Sequence, residues 1–244
     1  MKKQILQPGQ INPWVRRLSF LWLKLRKPFV AERARRLVLE SIQGVPFLVF
    51  PEVLNPVLFR GGALLAKTVA SSPFAAPPEG IQEPRALDMG TGSGAAAVFA
   101  ARRGFSVVAV DLNSQAVRCA QVNALINRLE DCIEVRHGDL FEPVRGEQFD
   151  LLLFNPPFYK GAPRDDEFDL AWRGEDVLER FAQGLPEVLK PRGRALLLLS
   201  TEGDGQILLQ ALQGQRLAIQ VLERRHFGNE VMTVYGVERR RSRL

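Results

Sequence analysis

Cysteine and histidine are scarce in this chain of 244 residues, which contains two of each. Cys119 and Cys132 do not form a CxxC pair, and His137 and His226 are too far apart in sequence for a local metal motif. The sequence therefore predicts neither a disulfide framework nor a metal site. We expect both thiols to be reduced and neither histidine to act in catalysis.

Long apolar runs are also absent. No segment reaches the roughly 18 consecutive apolar residues that span a bilayer, and the N-terminus lacks the apolar core of a signal peptide. Hydrophobic residues make up 46% of the chain and charged residues 25%, which is ordinary for a soluble folded protein. These features predict a cytoplasmic protein without a transmembrane segment.

The formal net charge of +6 is distributed unevenly. Residues 1–45 contain ten Lys and Arg against two Glu, and four arginines lie among residues 239–243, so the middle of the chain is acidic. Basic ends of this kind favour docking to an anionic partner such as structured RNA, a ribosome or a phospholipid surface. The alternative is that these charges are solvated and serve only solubility.

The first 84 residues divide into two predicted segments. Residues 1–45 form a basic amphipathic helical extension, with one helix over 28–43 and a stretch at 14–27 that places two tryptophans among five positive charges. That stretch either packs against the folded domain that follows or contacts membrane or RNA. Residues 46–84 contain a short strand at 47–50, a helix at 58–70 and a proline-rich connector.

Residues 85–244 alternate between strand and helix patterns and predict one Rossmann-like domain. Strands are expected over 85–89, 106–110, 133–136, 149–154, 194–200, 217–223 and 231–238, and helices over 93–103, 114–127, 175–189 and 206–212. This order predicts an α/β fold with a seven-stranded, mostly parallel sheet and helices on both faces. Because no helix separates the last two strands, the final strand should be antiparallel.

A glycine-rich turn follows the first of these strands, in the sequence LDMGTGSG at 87–94. Glycine at positions 90, 92 and 94 permits a tight turn and lets a ligand approach the backbone. Asp111 ends the next strand and suits the hydroxyl groups of a ribose. Up to this point a nicotinamide dinucleotide and S-adenosylmethionine fit equally well, so an oxidoreductase is one alternative.

Asp88 favours S-adenosylmethionine, because a carboxylate two residues before Gly90 can reach the ammonium of a methionine moiety but suits a pyrophosphate poorly. The chain also lacks an evident partner for hydride transfer, such as a placed Tyr-Lys or His-Asp pair. A second alternative is a catalytically inactive scaffold that binds the cofactor and acts through its basic arm.

The motif NPPF at 155–158 follows an apolar strand, at the sheet edge that carries the glycine turn. Pro156 and Pro157 fix φ, so the Asn155 amide oxygen and a rigid main-chain carbonyl can accept both hydrogens of an NH₂ group. Such hydrogen bonds orient a planar nitrogen for attack on a methyl group without a strong base. Phe158 would stack on the planar group. The motif therefore predicts transfer of a methyl group to a planar nitrogen.

Together, LDMGTGSG, VDLN at 110–113, GDLF at 138–141 and NPPF resemble class I S-adenosylmethionine-dependent methyltransferases of the HemK-like, small methyltransferase domain group. The resemblance covers about residues 46–238 and implies catalytic roles for Asn155, Pro156 and Phe158. It implies that the cofactor is bound by Asp88, Gly90, Gly92, Gly94, Asp111, Leu112, Asp139, Leu140 and Asn155.

The resemblance also bears on the substrate. Residues 169–172, the helix through Arg180 and residues 228–230 look like the HemK-like branch that methylates a glutamine of a peptide-release factor, which implies a protein substrate of the translation apparatus. Phe158 departs from the NPPY of that branch and is more typical of enzymes that methylate guanine N2 or adenine N6 in ribosomal or transfer RNA. Residues 1–45 do not match the helical domain of a bacterial release-factor enzyme. An RNA base is therefore the alternative acceptor.

Overall fold

The computed structural model describes residues 32–33, 35–157, 176–215, 217–228 and 230–240. The predicted helical stretch at 14–27 and the predicted site residue Phe158 lie outside these ranges. No helix of the described ranges is long and apolar enough to cross a membrane.

The helix expected over 28–43 is wrong for its second half. Strand β1, Val38–Ile42, pairs antiparallel with β2, Val45–Val49, and the two form a separate two-stranded sheet. Burial alternates along β1, with Glu40 and Ile42 buried and their neighbours exposed, which is the period of a strand. Gln43 and Gly44 both have positive φ, 51° and 79°, as a tight two-residue hairpin turn requires.

The rest of the described chain follows the predicted alternation. The elements are α1 Gly61–Ser71, β3 Arg85–Met89, α2 Ala95–Arg102, β4 Ser106–Asp111, α3 Ser114–Ile126, β5 Ile133–His137, β6 Phe149–Phe154, α4 Val177–Val188, β7 Leu189–Ser200, α5 Gly205–Gln213, β8 Leu217–His226 and β9 Val231–Arg239. Their bounds lie within a few residues of the predicted ones except at β7 and β8, which are longer. The connector contains a 3₁₀ turn, Pro73–Ala75.

Seven strands form one sheet in the order β5-β4-β3-β6-β7-β9-β8. All neighbours are parallel except β9, which is antiparallel to both β7 and β8. This confirms the predicted Rossmann-like class with an antiparallel final strand. The chain first builds outward from β3 to β5 and then returns to place β6 on the other side of β3, which creates a switch point where such sheets bind ligands.

Two apolar layers cover the sheet. One face packs against α1, α2 and part of α3, and the other packs against α4 and α5. All six residues of β6 are buried, as a central parallel strand with helices on both faces requires. Helix α1 therefore belongs to the same core as the strands that follow it, although the sequence assigned it to a separate segment.

Candidate active site

A cavity of about 310 Å³ opens at the carboxyl ends of β3, β4 and β6. It collects most of the residues that the sequence singled out: Asp88, Gly90, Gly92, Asp111, Leu112, Asp139, Leu140 and Asn155. Gly94 and Pro156 are not part of its lining, whereas Pro157 is. The parallel strands thus bring together motifs that are far apart in sequence.

The glycine turn takes the backbone conformation that its residues predict. Gly90, Gly92 and Gly94 have φ of 62°, 55° and 77°, all in the left-handed region. Gly94 serves packing, because a Cβ there would lie 3.2 Å from the Cα of Ala120 on α3. A Cβ on Gly92 would meet no atom within 4 Å, so that glycine leaves space in the cavity.

Asp111 links the end of β4 to the glycine turn. Its Oδ2 accepts the backbone N–H of Gly92 at 2.7 Å, and its Oδ1 accepts that of Asn113 at 2.9 Å. Burial raises the pKa of Asp111, and hydrogen bonds from the backbone of Asn113 and Gly92 oppose the rise. A carboxylate offers about four acceptor sites, so Asp111 retains capacity for ligand hydroxyl groups.

Asp88 lies at the floor of the cavity and is only 3% exposed. Its Oδ2 accepts hydrogen bonds from Thr91 Oγ1 at 2.6 Å and from the backbone N–H of Ala97 at 3.0 Å. Burial raises the pKa of Asp88 to about 7, because the two hydrogen bonds offset only part of the desolvation of its charged form. A cation bound in the cavity would stabilise the ionised carboxylate.

Asp139 and Leu140 lie in the loop after β5, which is tied to β4 by a hydrogen bond of 3.0 Å from Gly138 N–H to the carbonyl of Asp111. The Asp139 carboxylate pairs with Arg180 on α4, with Oδ2 at 2.5 Å from Nη1 and Oδ1 at 3.4 Å from Nη2. Arg180 also pairs with Asp176 at 2.9 Å. Sequence reasoning did not place Arg180 or Asp176 at the site, and both line the cavity.

Asn155 follows β6 directly, and its side chain lies against the start of α1. A Cβ built on Gly61 would be 3.4 Å from Asn155 Nδ2 and 3.5 Å from its Oδ1. The Oδ1 atom is buried and has no hydrogen-bond partner among the described residues. A buried amide oxygen without a partner costs free energy, which a bound N–H donor would recover.

One wall of the cavity comes from residues that precede the predicted domain. Glu52, Val53, Leu54 and Pro56 line it, together with Gly62 and Leu65 of α1. Asn113 Nδ2 donates to the carbonyl of Glu52 at 3.0 Å and so joins this wall to the end of β4. In the sequence, this wall is marked by no recognisable motif. The Asn55-Pro56 pair before an apolar helix indicates only an ordinary helix start.

Asn123 secures the hairpin to the glycine turn and was also missed. It is fully buried on α3, where its Oδ1 accepts the N–H of Leu48 at 2.7 Å. Its Nδ2 donates to the carbonyls of Leu48 at 2.8 Å and Ser93 at 2.9 Å. One side chain thus bridges β2, α3 and the turn that carries the cavity's glycines.

The methyltransferase small domain model matches residues 60–223. The chain belongs to this family. The family assignment and the cavity together identify an S-adenosylmethionine-dependent methyltransferase of the HemK-like, Rossmann-like group, as the motifs predicted.

Individual relatives differ in the acceptors that their names state. The chain is 31% identical to a candidate protein N5-glutamine methyltransferase of Methanocaldococcus jannaschii, over 78% of this chain and 89% of that protein. It is 32% identical to ribosomal RNA small subunit methyltransferase C of Alcanivorax borkumensis, over 48% of this chain but only 33% of that enzyme. A T. thermophilus 16S rRNA N2 G1207 methyltransferase with AdoMet and guanosine shares the fold, with a TM-score of 0.59 and 24% identity over 84% of this chain and 50% of that one.

Proposed function

We propose that this enzyme transfers the methyl group of S-adenosylmethionine to the side-chain amide nitrogen of a glutamine in a protein of the translation apparatus. The observation that carries the proposal is the buried, unpartnered Oδ1 of Asn155 beside the cofactor cavity. A buried amide oxygen without a partner can accept a hydrogen bond from an N–H group of a bound substrate. The named activity of the Methanocaldococcus jannaschii relative supports glutamine as the acceptor.

Asn155 acts by orientation and by stabilising developing charge. When bound, S-adenosylmethionine supplies an electrophilic methyl group on its sulfonium sulfur. Asn155 Oδ1 and a main-chain carbonyl of residues 155–157 accept one hydrogen bond each from the two N–H groups of the glutamine amide. This orients the lone pair of the nitrogen toward that methyl group. As the N–C bond forms and the C–S bond breaks, the same acceptors hold the proton that the nitrogen later loses to water.

The cavity residues fit the three parts of the cofactor. Asp88 would face the ammonium of the methionine moiety, and Asp111 would accept hydrogen bonds from the ribose hydroxyls, since both line the cavity. Asp139 would accept a hydrogen bond from the exocyclic amine of adenine, and Leu112 and Leu140, which also line the cavity, would cover the ring. Gly90 and Gly92 keep the backbone close to the ligand, and Gly94 supports them by packing on α3.

An amine on a base of ribosomal or transfer RNA is the second candidate acceptor. Phe158 in place of the tyrosine of glutamine-specific enzymes favours it, as does the named activity of the Alcanivorax borkumensis relative. Both candidates belong to the translation apparatus, so we place the enzyme in the cytoplasm. The basic segments at 1–31 and 241–244, which lie outside the described residues, would dock it to an anionic partner.

Label transfer distinguishes the two acceptors. Purified enzyme and tritiated S-adenosylmethionine are added to a lysate from a strain that lacks the protein, and the product is divided between RNase and protease treatment. Label that survives RNase and is lost to protease supports the glutamine assignment, and label lost to RNase moves it to a base. Absence of label, with S-adenosylhomocysteine still bound, would favour a missing partner subunit or the catalytically inactive scaffold.

A further inference from the structure

A groove of about 390 Å³ lies between helix α1 and the edge strand β8, outside the cofactor cavity. Its lining combines apolar Leu64 and Phe227 with polar side chains, and carries three cations, Arg60, Lys67 and Arg225, against one carboxylate, Glu223. We call it the α1–β8 groove. Neither the family assignment nor the motifs explain why cations gather on this side of the sheet.

The groove begins beside the catalytic asparagine. Arg60 precedes Gly61, and Gly61 packs so closely on Asn155 that a Cβ there would be 3.4 Å from Nδ2. Arg60, which lines the groove, is therefore the neighbour in sequence of the residue that contacts Asn155. From Arg60 to Lys67 the lining follows α1 for seven residues, about 10 Å at the rise of an α-helix.

Arg60 is held in a strained conformation. Its φ of 66° and ψ of −32° lie in a region that side chains with a Cβ rarely adopt, and Gly61 N–H closes a three-residue turn on the carbonyl of Phe59 at 2.7 Å. Glycine would fit this position without strain. Strained backbone persists mainly at functional sites. We therefore expect the Arg60 side chain to make a functional contact that offsets the free-energy cost of its backbone conformation.

Contacts with the β8–β9 loop fix the direction of the Arg60 side chain. Its guanidinium lies over the ring of Phe227, 4.9 Å from the centroid. Beyond it, Glu230 accepts the hydroxyl of Ser200 at 2.6 Å. The guanidinium therefore covers one face of the Phe227 ring.

The groove retains positive charge after its internal pairs are counted. Arg225 pairs with Glu223 at 2.7 Å, whereas Lys67 is exposed and has no ion-pair partner among the described residues. Arg60 makes no ion pair within 4.0 Å in the described chain either, although its charge lowers the pKa of Glu230 against a larger rise caused by burial. A groove with this excess of cationic side chains fits an extended chain with acidic side groups.

We propose that the α1–β8 groove binds an extended, acidic polypeptide segment adjacent to the glutamine that is methylated. The inference rests on the proposed function for its substrate class, but the groove can be tested by binding alone. Arg60, Lys67 and Arg225 contact carboxylates of the segment, and Leu64 lies under its apolar side chains.

The test uses full-length enzyme with S-adenosylhomocysteine bound and three labelled synthetic peptides, each with a central glutamine flanked by aspartates, serines or lysines. Fluorescence anisotropy at low salt should show the aspartate peptide binding most tightly. The double variant Lys67→Gln/Arg225→Gln should weaken it roughly three- to tenfold, as the loss of two exposed charge contacts implies. Arg60→Gly, which suits the turn, should weaken it while the protein stays folded.

Arg102→Gln is the matched control, because it removes an exposed positive charge from α2, away from the groove. Equal binding of the three peptides, or an equal loss in the control, would overturn the proposal. The proposal would also be overturned if the groove variants bound a single-stranded RNA oligonucleotide more weakly than the wild type does but bound the aspartate peptide equally well. Methyl transfer is measured separately: groove-dependent binding without methylation refutes only the glutamine assignment, and methylation that ignores flanking charge refutes only the groove.

Discussion

Gly92 donates its backbone N–H to Oδ2 of Asp111 across the carboxyl edge of the sheet, at 2.7 Å. The glycine turn and the end of β4 are therefore one unit, in which the carboxylate shapes the turn while it faces the cavity. Gly92 N–H is 19 residues before its acceptor in sequence. This hydrogen bond couples the shape of the glycine turn to the charge of Asp111, the residue expected to bind ribose.

Replacing Asp111 by Asn tests that coupling. The substituted amide is neutral and keeps one acceptor oxygen, so all donors lose their charged acceptor and one of the two backbone N–H groups faces an NH₂ group instead. We expect the affinity for S-adenosylhomocysteine to fall about ten- to a hundredfold, the range for hydrogen bonds to charged groups. Isothermal titration calorimetry measures this, with exposed Asp131→Asn as the matched control. Equal affinities would remove Asp111 from the cofactor site.

The ionisation of Asp88 should make cofactor binding depend on pH. Its pKa of about 7 means that the unliganded enzyme carries a proton there which a bound ammonium would displace. Affinity for S-adenosylhomocysteine should therefore rise as the pH increases toward about 7 and level off above it. In the same unliganded enzyme, the free energy of unfolding should fall as the pH rises from about 4 to about 7, since only the folded state binds this proton.

Two controls isolate Asp88 in that experiment. Asp88→Asn should remove the contribution of Asp88 from both pH profiles, because an amide does not titrate, and should leave that of the other buried carboxyl groups. 5′-Methylthioadenosine lacks the amino-acid moiety, so its affinity for the wild-type enzyme should not follow the ionisation of Asp88. An unchanged pH profile in Asp88→Asn would show that another group controls binding.

Asn155→Ala separates binding from transfer. The substitution removes the unpartnered Oδ1 but leaves the glycine turn and Asp111 in place. We expect S-adenosylhomocysteine affinity to stay within a few fold, while methyl transfer falls by a factor on the order of 100 or more. Single-turnover transfer of labelled methyl gives the rate, and turnover equal to that of the wild type would rule out the proposed role.

Gly92 and Gly94 should respond differently to alanine. Both have left-handed φ, so each substitution costs about 1–2 kcal/mol of stability from the backbone alone. Gly94→Ala also presses on Ala120 and should be the less stable variant, whereas the new methyl of Gly92→Ala points into open space and should mainly weaken cofactor binding. Urea unfolding ranks the two variants by stability, and ligand titration ranks them by cofactor affinity. A Gly92→Ala variant less stable than Gly94→Ala would contradict the packing argument.

Asn123→Ala should be strongly destabilising. It removes three hydrogen bonds, from the N–H of Leu48 and the carbonyls of Leu48 and Ser93, and leaves the Leu48 carbonyl only the weak thiol donor of Cys119. Since Asn123 is fully buried, we expect a loss of about 3 kcal/mol or more in the free energy of unfolding. Asn127→Ala, which removes two less buried bonds from the same helix, should cost less in the same denaturant titration.

Local patterns were sufficient to predict much of the fold. Strand β6 has the bounds expected from its apolar run, and the turn after β3 has the positive φ angles that its glycines suggest. The cavity residues then followed, because parallel strands end at one edge of the sheet. These inferences need only the period of the side chains and the chemistry of the turn.

The errors arose where structure depends on distant partners. Val38 and Ile42 are spaced as on one helix face, and only pairing with Val45–Val49 makes that stretch a strand. Asn123 is 75 residues from Leu48, so no local pattern reveals their contact. The ion pair between Asp139 and Arg180 spans 41 residues for the same reason.

The match to the family model begins at residue 60, whereas the wall of the cavity begins at Glu52 and the hairpin that supports it at Val38. A fragment chosen by its motifs alone would keep every signature residue yet lack one side of the ligand's enclosure. Because Asn123 and Asn113 bond this wall to the core, amides of the hairpin and the glycine turn should open to hydrogen exchange as one cooperative unit. The hairpin thus supports one wall of the cavity from outside the residues that the family model matches.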